Sequence, residues 1–138
     1  MTTTITGKTR LISLLGSPVS HSKSPRMQNG VFQALGLDSV YLAFDVSPAG
    51  VEGAIKGMRA MNFRGGNVTM PLKRVVCQFL DRLTPAAQMA EAVNVIVNDD
   101  GILTGHISDG EGYMMSLADA GVPYVGKKMT LIGAGGAS

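Results

Sequence analysis

A threonine and a lysine lie where a short apolar segment ends, and their types suit acid/base chemistry. Two glycines precede residues 67–70. Pro71 is expected to end the strand after Thr69, and Lys73 follows it. Ligands of α/β sheets bind at the carboxyl ends of strands, so such a strand end can form the floor of a pocket. Lys73 would then be a general acid/base. The alternative is an exposed lysine in the first turn of a helix.

A serine-rich loop offers a second set of polar groups. Residues 20–24 read Ser-His-Ser-Lys-Ser and follow an apolar segment. The hydroxyl groups of Ser22 and Ser24 could donate to a carboxylate, helped by the positive end of the helix that follows. The alternative is that Ser24 caps this helix, with Pro25 in its first helical position, and that the other serines are solvated.

Asn94 and Asp109 are the remaining polar candidates. Asn94 lies inside an otherwise apolar segment, where a buried amide needs partners from the backbone or from a ligand. Asp109 precedes a predicted helix, so it either caps that helix or takes part in catalysis. A carboxylate beside Lys73 could orient its amine, which would favour the catalytic interpretation.

These residues need a scaffold, and the pattern of the chain predicts an α/β one. The 138 residues, 45% hydrophobic and 16% charged, are enough for one domain with a core. Alternating strands and helices predict a mainly parallel mixed sheet with helices on both faces, a three-layer α/β/α arrangement. The predicted strands cover residues 11–15, 40–45, 67–70, 93–98, 102–106 and 127–132. The predicted helices cover residues 24–35, 74–83 and 110–119, with two more that begin near residues 48 and 84.

Composition also narrows the function classes. A formal net charge of +2, without a run of Lys or Arg, argues against a nucleic-acid partner. Cys77 is the single cysteine and is predicted to fill a helix face, while His21 and His106 lack the spacing of metal ligands. The apolar run at residues 11–15 is too short to cross a membrane or to act as a signal sequence, so a cytoplasmic protein is expected.

The last residues change in character. The predicted strand 127–132 leads into a glycine-rich turn. A strand followed by such a turn opens a dinucleotide-binding unit, although a complete fingerprint needs a following helix and a ribose-binding residue. The cofactor-binding candidates are the residues of this turn: Gly133, Ala134, Gly135 and Gly136.

Taken together, the chain resembles the shikimate dehydrogenase family over nearly its whole length. Residues 24–29 are most similar to its quinate/shikimate branch. The segments that carry the resemblance are Gly-Ser-Pro at 16–18, His-Ser-Lys-Ser-Pro at 21–25, residues 66–73, Ala-Val-Asn at 92–94, residues 98–101, Asp109 with Gly110 and Gly112, and residues 133–138.

The resemblance implies an enzyme that transfers a hydride between NADP or NAD and 3-dehydroshikimate, shikimate or quinate. The family pattern places the substrate carboxylate on Ser22 and Ser24, and makes Lys73 the acid/base group paired with Asp109. It assigns the ring hydroxyls to three polar side chains, Thr69, Asn94 and Asp109. Residues 1–125 would be the substrate-binding and catalytic domain, and residues 126–138 the first strand and glycine turn of a Rossmann domain.

Two departures and the length leave alternatives open. Val95 and Ile107 replace polar residues that are common in the family, so quinate, an aminoshikimate-type analogue or another polyhydroxy ring acid could be the substrate. Family members are about twice this long, by the usual size of one domain, so this chain is expected to be inactive alone. The rival interpretation is a non-enzymatic module that binds a small polyhydroxy ring carboxylate, and a third is a structural or dimerisation fragment. Apolar surface left uncovered would favour a homodimer.

Overall fold

A six-stranded sheet organises the protein in the computed structural model, which describes residues 4–133. The order of the strands across the sheet is β2-β1-β3-β5-β6-β4. The strands are β1 (Arg10–Gly16), β2 (Ser39–Asp45), β3 (Gly65–Val68), β4 (Arg82–Leu83), β5 (Val95–Asp99) and β6 (Ile102–His106).

Four α-helices connect or follow these strands, and two short 3-10 helices accompany them. The α-helices are α1 (Ser24–Ala34), α2 (Val51–Ala60), α3 (Pro85–Ala90) and α4 (Asp109–Asp119), and the 3-10 helices are Pro48–Gly50 and Val75–Phe79. Across residues 4–133, no helix has the length and hydropathy that a bilayer span requires.

Strand direction confirms the mainly parallel mixed sheet. β1 runs parallel to both β2 and β3, β5 is antiparallel to β3 and to β6, and β4 is parallel to β6. Five strands therefore share one direction and β5 opposes them. This single reversal matters for the site, because it brings the start of β5 to the edge where β3 and β6 end.

Side chains that alternate along β1 divide the core between the two sheet faces. Leu15 belongs to a large cluster on one face and Leu14 to a smaller one on the other, as the two-residue period of a strand requires. The larger cluster takes the apolar stripe of α2, formed by Val51, Ile55 and Met58. The smaller cluster takes Phe32 of α1. Helices on both faces confirm the predicted three-layer α/β/α arrangement, and each fully buried side chain of this kind contributes about 1.5–3 kcal/mol.

The hairpin between β5 and β6 has the predicted turn, but its buried side-chain amide belongs to a different residue from the one expected. Asp100 and Gly101 have φ of 50° and 91°, which fits a two-residue turn with both φ values positive. Asn98 is 3% exposed; its Nδ2 donates to Phe63 O at 2.7 Å and its Oδ1 accepts from Gly101 N at 2.8 Å. Asn94, expected inside the strand, instead precedes β5. The buried amide of this hairpin is thus Asn98.

The helix predicted over residues 74–83 is wrong. This segment forms the 3-10 helix Val75–Phe79 and then β4, which pairs with β6. The backbone of Asp81 donates to Leu103 O at 3.0 Å, and its carboxylate accepts from Leu103 N at 2.7 Å. These bonds to a neighbouring strand satisfy backbone groups that a continued helix would have paired internally.

The strand predicted over residues 127–132 is also absent. These residues belong to no helix or strand, and their side chains are exposed. A strand exists through hydrogen bonds to a neighbouring strand, and none of the described strands pairs with this segment. Of the predicted cofactor residues, Gly133 is described, whereas Ala134, Gly135 and Gly136 lie outside the described residues.

Candidate active site

The sheet topology collects the candidate residues at one edge. β1, β3 and β6 run in the same direction, so the loops after them leave the sheet at the same edge. The loops after β1 and β3 carry the serine segment and residues 69–73, and the loop after β6 leads to Asp109 at the start of α4. Because β5 runs the opposite way, Asn94 lies at this edge although it precedes its strand. This is the edge at which α/β domains bind ligands.

A cleft of about 210 Å³ lies beside the ends of β1 and β3. Leu14 contributes apolar surface to its wall. Its polar lining consists of four hydroxyl-bearing residues and one imidazole: Ser17, Ser22, Ser24, Thr69 and His21. Three predicted substrate-binding residues, Ser22, Ser24 and Thr69, are therefore brought together around one cavity. Ser17 and His21 were missed, although they adjoin the serine segment in sequence.

The serine loop is arranged differently from the expected helix cap. Ser24 is the first helical residue of α1, the cap position belongs to Lys23, and no side chain there makes a capping bond. Instead the Ser22 hydroxyl accepts from Ser24 N at 3.2 Å. The prediction that Ser24 caps the helix is wrong, because the helix begins at Ser24 itself and the cap position falls on Lys23. The Ser24 hydroxyl lines the cleft without a capping role.

Close packing of Gly16 fixes the position of Thr69. A Cβ atom at Gly16 would lie 2.3 Å from Thr69 Cγ2, so no larger residue fits without movement. Thr69 N donates to Leu15 O at 2.9 Å, and Ser17 N donates to Met70 O at 3.0 Å. These backbone bonds join the ends of β1 and β3 beyond the sheet. The threonine hydroxyl is thus held on a rigid part of the cleft.

Lys73 and Asp109 form an ion pair, as the family pattern implied. Lys73 Nζ lies 2.5 Å from Asp109 Oδ2, and the exposed fractions of the two side chains are 14% and 43%. Asp109 begins α4 and is not its cap, a position that Ser108 occupies. A carboxylate in the first turn is also favoured by the helix dipole. Because the lysine is largely shielded from water, salt screens this pair less than a surface pair.

Asn94 holds the carboxylate of this pair in place. Its Nδ2 donates to Asp109 Oδ1 at 2.7 Å, and its Oδ1 accepts from Ser108 N at 3.0 Å. Its own backbone is fixed by His106 O, which accepts from Asn94 N at 3.0 Å. The expectation that this amide finds partners holds. They are the start of α4 and the carboxylate itself.

Asn67 is a polar residue of the site that sequence reasoning missed. Its Nδ2 donates to Asn94 O at 3.2 Å, and its Oδ1 accepts from the hydroxyl of Tyr41 at 2.8 Å. Burial raises the pKa of Tyr41 to about 12, so this hydroxyl stays protonated near neutral pH. The available signal was spacing, because Asn67 and Thr69 are two residues apart along one extended segment.

The candidate residues form two groups along the same edge. The first group lines the cleft and consists of Ser22, Ser24 and Thr69. The second group does not line the cleft; its members, Lys73, Asn94 and Asp109, are hydrogen-bonded to one another. The loop from Thr69 to Lys73 joins them covalently. One group offers hydroxyls to an anion or polyol, and the other offers a positioned amine.

The two family departures lie beside this site with different surroundings. Ile107 packs against the larger core cluster, so its side chain contributes to the fold. Val95 is half-buried in β5. No group of three or more His, Cys, Asp or Glu residues suited to a metal ion occurs within residues 4–133.

A mixed α/β domain with a hydroxyl-lined cleft and a lysine–carboxylate pair at the carboxyl edge of its sheet has the features of a domain that binds small molecules. The sequence then identifies the family. Residues 14–96 match the family described as the shikimate dehydrogenase substrate binding domain. The chain therefore belongs to the shikimate dehydrogenase family.

Individual relatives agree with this family assignment. Shikimate dehydrogenase (NADP(+)) of Listeria monocytogenes is 54% identical over 138 residues, which are 100% of this chain and 47% of the relative. Quinate/shikimate dehydrogenase of Escherichia coli is 45% identical over 134 residues, 97% of this chain and 46% of the relative. The chain spans about half the length of the curated relatives it matches.

A solved structure shares the fold closely. It is shikimate 5-dehydrogenase from Listeria monocytogenes, in complex with shikimate and NAD, at a TM-score of 0.92 and 55% identity. The match covers 99% of this chain and 47% of that one.

Proposed function

We propose that this chain is the substrate-binding and catalytic domain of an NAD(P)-dependent dehydrogenase acting on shikimate, 3-dehydroshikimate or quinate. The observation that carries the proposal is the 2.5 Å pair between Lys73 and Asp109, held by Asn94 at the ligand-binding edge of the sheet. Relatives named shikimate dehydrogenase and quinate/shikimate dehydrogenase, which match along nearly the whole chain, support it.

The substrate carboxylate would bind at the serine loop. Ser22 and Ser24 lie at the amino end of α1 and line the cleft, and both hydroxyl donors and the helix dipole favour an anion there. Thr69 would bind a ring hydroxyl from the opposite wall, and Asn94 and Asp109 would bind the hydroxyls nearest Lys73. This division suits a polyhydroxy ring acid, which carries its charge on one side and its hydroxyls on the other.

The proton step would belong to Lys73. Reduction of a ketone creates an alkoxide, and a positioned ammonium can give it a proton. In the reverse direction the neutral amine would take the proton from the hydroxyl. Asp109 would orient the lysine and stabilise its charged form through their hydrogen bond. The nicotinamide cofactor, when bound, supplies or accepts the hydride.

The cofactor would be NADP or NAD, bound mainly by residues outside residues 1–125. The relatives include an NADP(+) enzyme and a structure with NAD. Gly133 has φ of +98°, a conformation that glycine adopts easily, and this fits the first glycine of a dinucleotide-binding turn. The other cofactor-binding candidates, Ala134, Gly135 and Gly136, lie outside the described residues and stay predictions. This chain alone would bind the ring acid but would not turn it over.

Two measurements test the proposal. The complete enzyme should reduce NADP or NAD when given shikimate or quinate, and the ratio of the two kcat/KM values would identify the preferred ring acid. Calorimetry on this 138-residue chain should show binding of that acid. Binding without turnover by the complete enzyme would support a non-enzymatic module instead, and a folded chain that binds neither acid would contradict the proposal. The homodimer and the cytoplasmic location stay predictions, the first testable by light scattering.

A further inference from the structure

A buried tyrosine far from the ion pair is connected to it by hydrogen bonds. Tyr41 lies on β2 and is 1% exposed. β1 separates β2 from β3 in the sheet, yet the Tyr41 hydroxyl reaches across and donates to Asn67 Oδ1 at 2.8 Å. Most buried tyrosine hydroxyls find a partner. The other end of this partner contacts the backbone carbonyl of Asn94, whose side chain is bonded to Asp109.

The contacts of Asn67 leave one orientation for its amide. Asn94 O is a carbonyl and accepts hydrogen bonds only, so the atom 3.2 Å away must be the nitrogen of Asn67. The amide oxygen then faces Tyr41, which must act as the donor. Burial raises the pKa of Tyr41 to about 12, so the hydroxyl keeps its proton. Tyr41 and Asn94 together define how Asn67 is oriented.

From Asn94 the connection continues to the lysine. Asn94 Nδ2 donates to Asp109 Oδ1 at 2.7 Å, and Asp109 Oδ2 accepts from Lys73 Nζ at 2.5 Å. We propose that Tyr41 is a positioning residue, whose hydroxyl acts through Asn67 and Asn94 to orient the Lys73–Asp109 pair. This inference rests on the proposed function, because it assigns Tyr41 to the same reaction.

Packing alone does not explain the hydroxyl. The ring of Tyr41 is in an apolar cluster with Leu14, Val19 and Phe32, and phenylalanine would preserve those contacts. Without the hydroxyl, Asn67 Oδ1 loses the one donor that contacts it within the described residues. The amide could then rotate away from Asn94 O, which would lose its bond from Asn67 and keep the one from Val68 N at 2.9 Å. With one of these two bonds gone, Asn94 would hold the carboxylate of Asp109 less firmly.

The test is Tyr41→Phe in the complete enzyme, with Tyr113→Phe as the matched control because Tyr113 is 57% exposed. Loss of one buried hydrogen bond should lower kcat by about 5–20-fold, with KM within about twofold. In an Asn67→Ala background the same substitution should have no further effect on kcat. A tyrosine that only stabilises the fold would lower the unfolding midpoint and leave kcat unchanged. An unchanged kcat, or an equal fall in both backgrounds, would overturn the proposal.

A second readout separates this inference from the proposed function. If the complete wild-type enzyme turns over neither shikimate nor quinate, the proposed function fails, and NMR of the 138-residue chain decides the inference. Tyr41→Phe should shift the side-chain amide signals of both Asn67 and Asn94, whereas Tyr113→Phe should leave them in place. An Asn94 signal that does not move in Tyr41→Phe would overturn the link from Tyr41 to the ion pair.

Discussion

Substitution of Gly16 by alanine should damage both the fold and the cleft. An ideal Cβ at this position would lie 2.3 Å from Thr69 Cγ2, 3.0 Å from Met70 O and 3.1 Å from Val19 Cγ1. The first contact must lengthen by about 1 Å to become ordinary, and the other two leave little room for that movement. Overpacking of this kind costs about 1–3 kcal/mol. Rotation of Thr69 would relieve the contact, but would also move its hydroxyl at the cleft.

Urea denaturation of the 138-residue chain measures the stability term. A loss of about 1–3 kcal/mol should lower the midpoint by roughly 0.5–1.5 M, for m of about 2 kcal/mol/M. Calorimetry should show weaker shikimate binding. Gly30 provides the matched control, because it lies in α1 with nothing within 4 Å of its Cβ position. Gly30→Ala should stabilise the chain by about 0.5–1 kcal/mol through helix propensity alone.

A double-mutant cycle shows whether the threonine methyl is the cause. Thr69→Ser removes Cγ2, so Gly16→Ala should cost about 1 kcal/mol less in that background than in the wild type. Independent sites add within about 0.3–0.5 kcal/mol. Additivity within that range would refute the contact between Gly16 and Thr69 as the origin of the effect.

Two further predictions concern charged groups. Asp109→Asn weakens a charge-assisted bond to Lys73 worth about 1.5–3 kcal/mol, so kcat/KM of the complete enzyme should fall by about 10–100-fold. The control, Glu111→Gln in the same helical turn, should change kcat/KM little. An Asp109→Asn enzyme with kcat/KM within twofold of wild type would contradict the pairing. Two contacts lower the pKa of Asp81: first the hydrogen bond from Leu103 N, and then the one from the Arg59 guanidinium. The Asp81 carboxyl therefore binds a proton more readily in the unfolded state than in the folded state. It follows that the charged carboxylate stabilises the fold at pH values above the unfolded-state pKa. Urea midpoints of wild type and Asp81→Asn should therefore differ near neutral pH and converge as the pH falls below the ordinary aspartate pKa of 3.8 and through the lowered one. A constant difference would contradict the assignment.

Local sequence patterns were sufficient for most of the fold. Apolar runs predicted β1, β2 and β6 within two residues of their ends, and the Asp-Gly pair at residues 100–101 predicted the hairpin. They failed where pairing is non-local. The strand Arg82–Leu83 exists because it pairs with β6. The sequence of residues 74–83 contains no pattern that indicates this pairing. Residues 127–132 have the composition of a strand but no described strand pairs with them.

The site residues were individually ambiguous in the sequence. Lys73 and Asp109 are 36 residues apart, and they meet because β5 reverses direction between β3 and β6. That proximity depends on topology, so only the family resemblance indicated it. The role of Asn67 was hidden for a related reason. Its partners are Tyr41 on β2 and Asn94 just before β5, and these lie on opposite sides of β3.

The most direct test of the central claim is the kcat of Lys73→Ala in the complete enzyme, with Lys56→Ala as control because that lysine is exposed on α2. If Lys73 transfers the proton, kcat should fall by about 10²–10⁴-fold, while KM for the ring acid changes only a few-fold because the serine loop still holds the carboxylate. Lys56→Ala should match wild type. Undiminished turnover by Lys73→Ala would contradict the account.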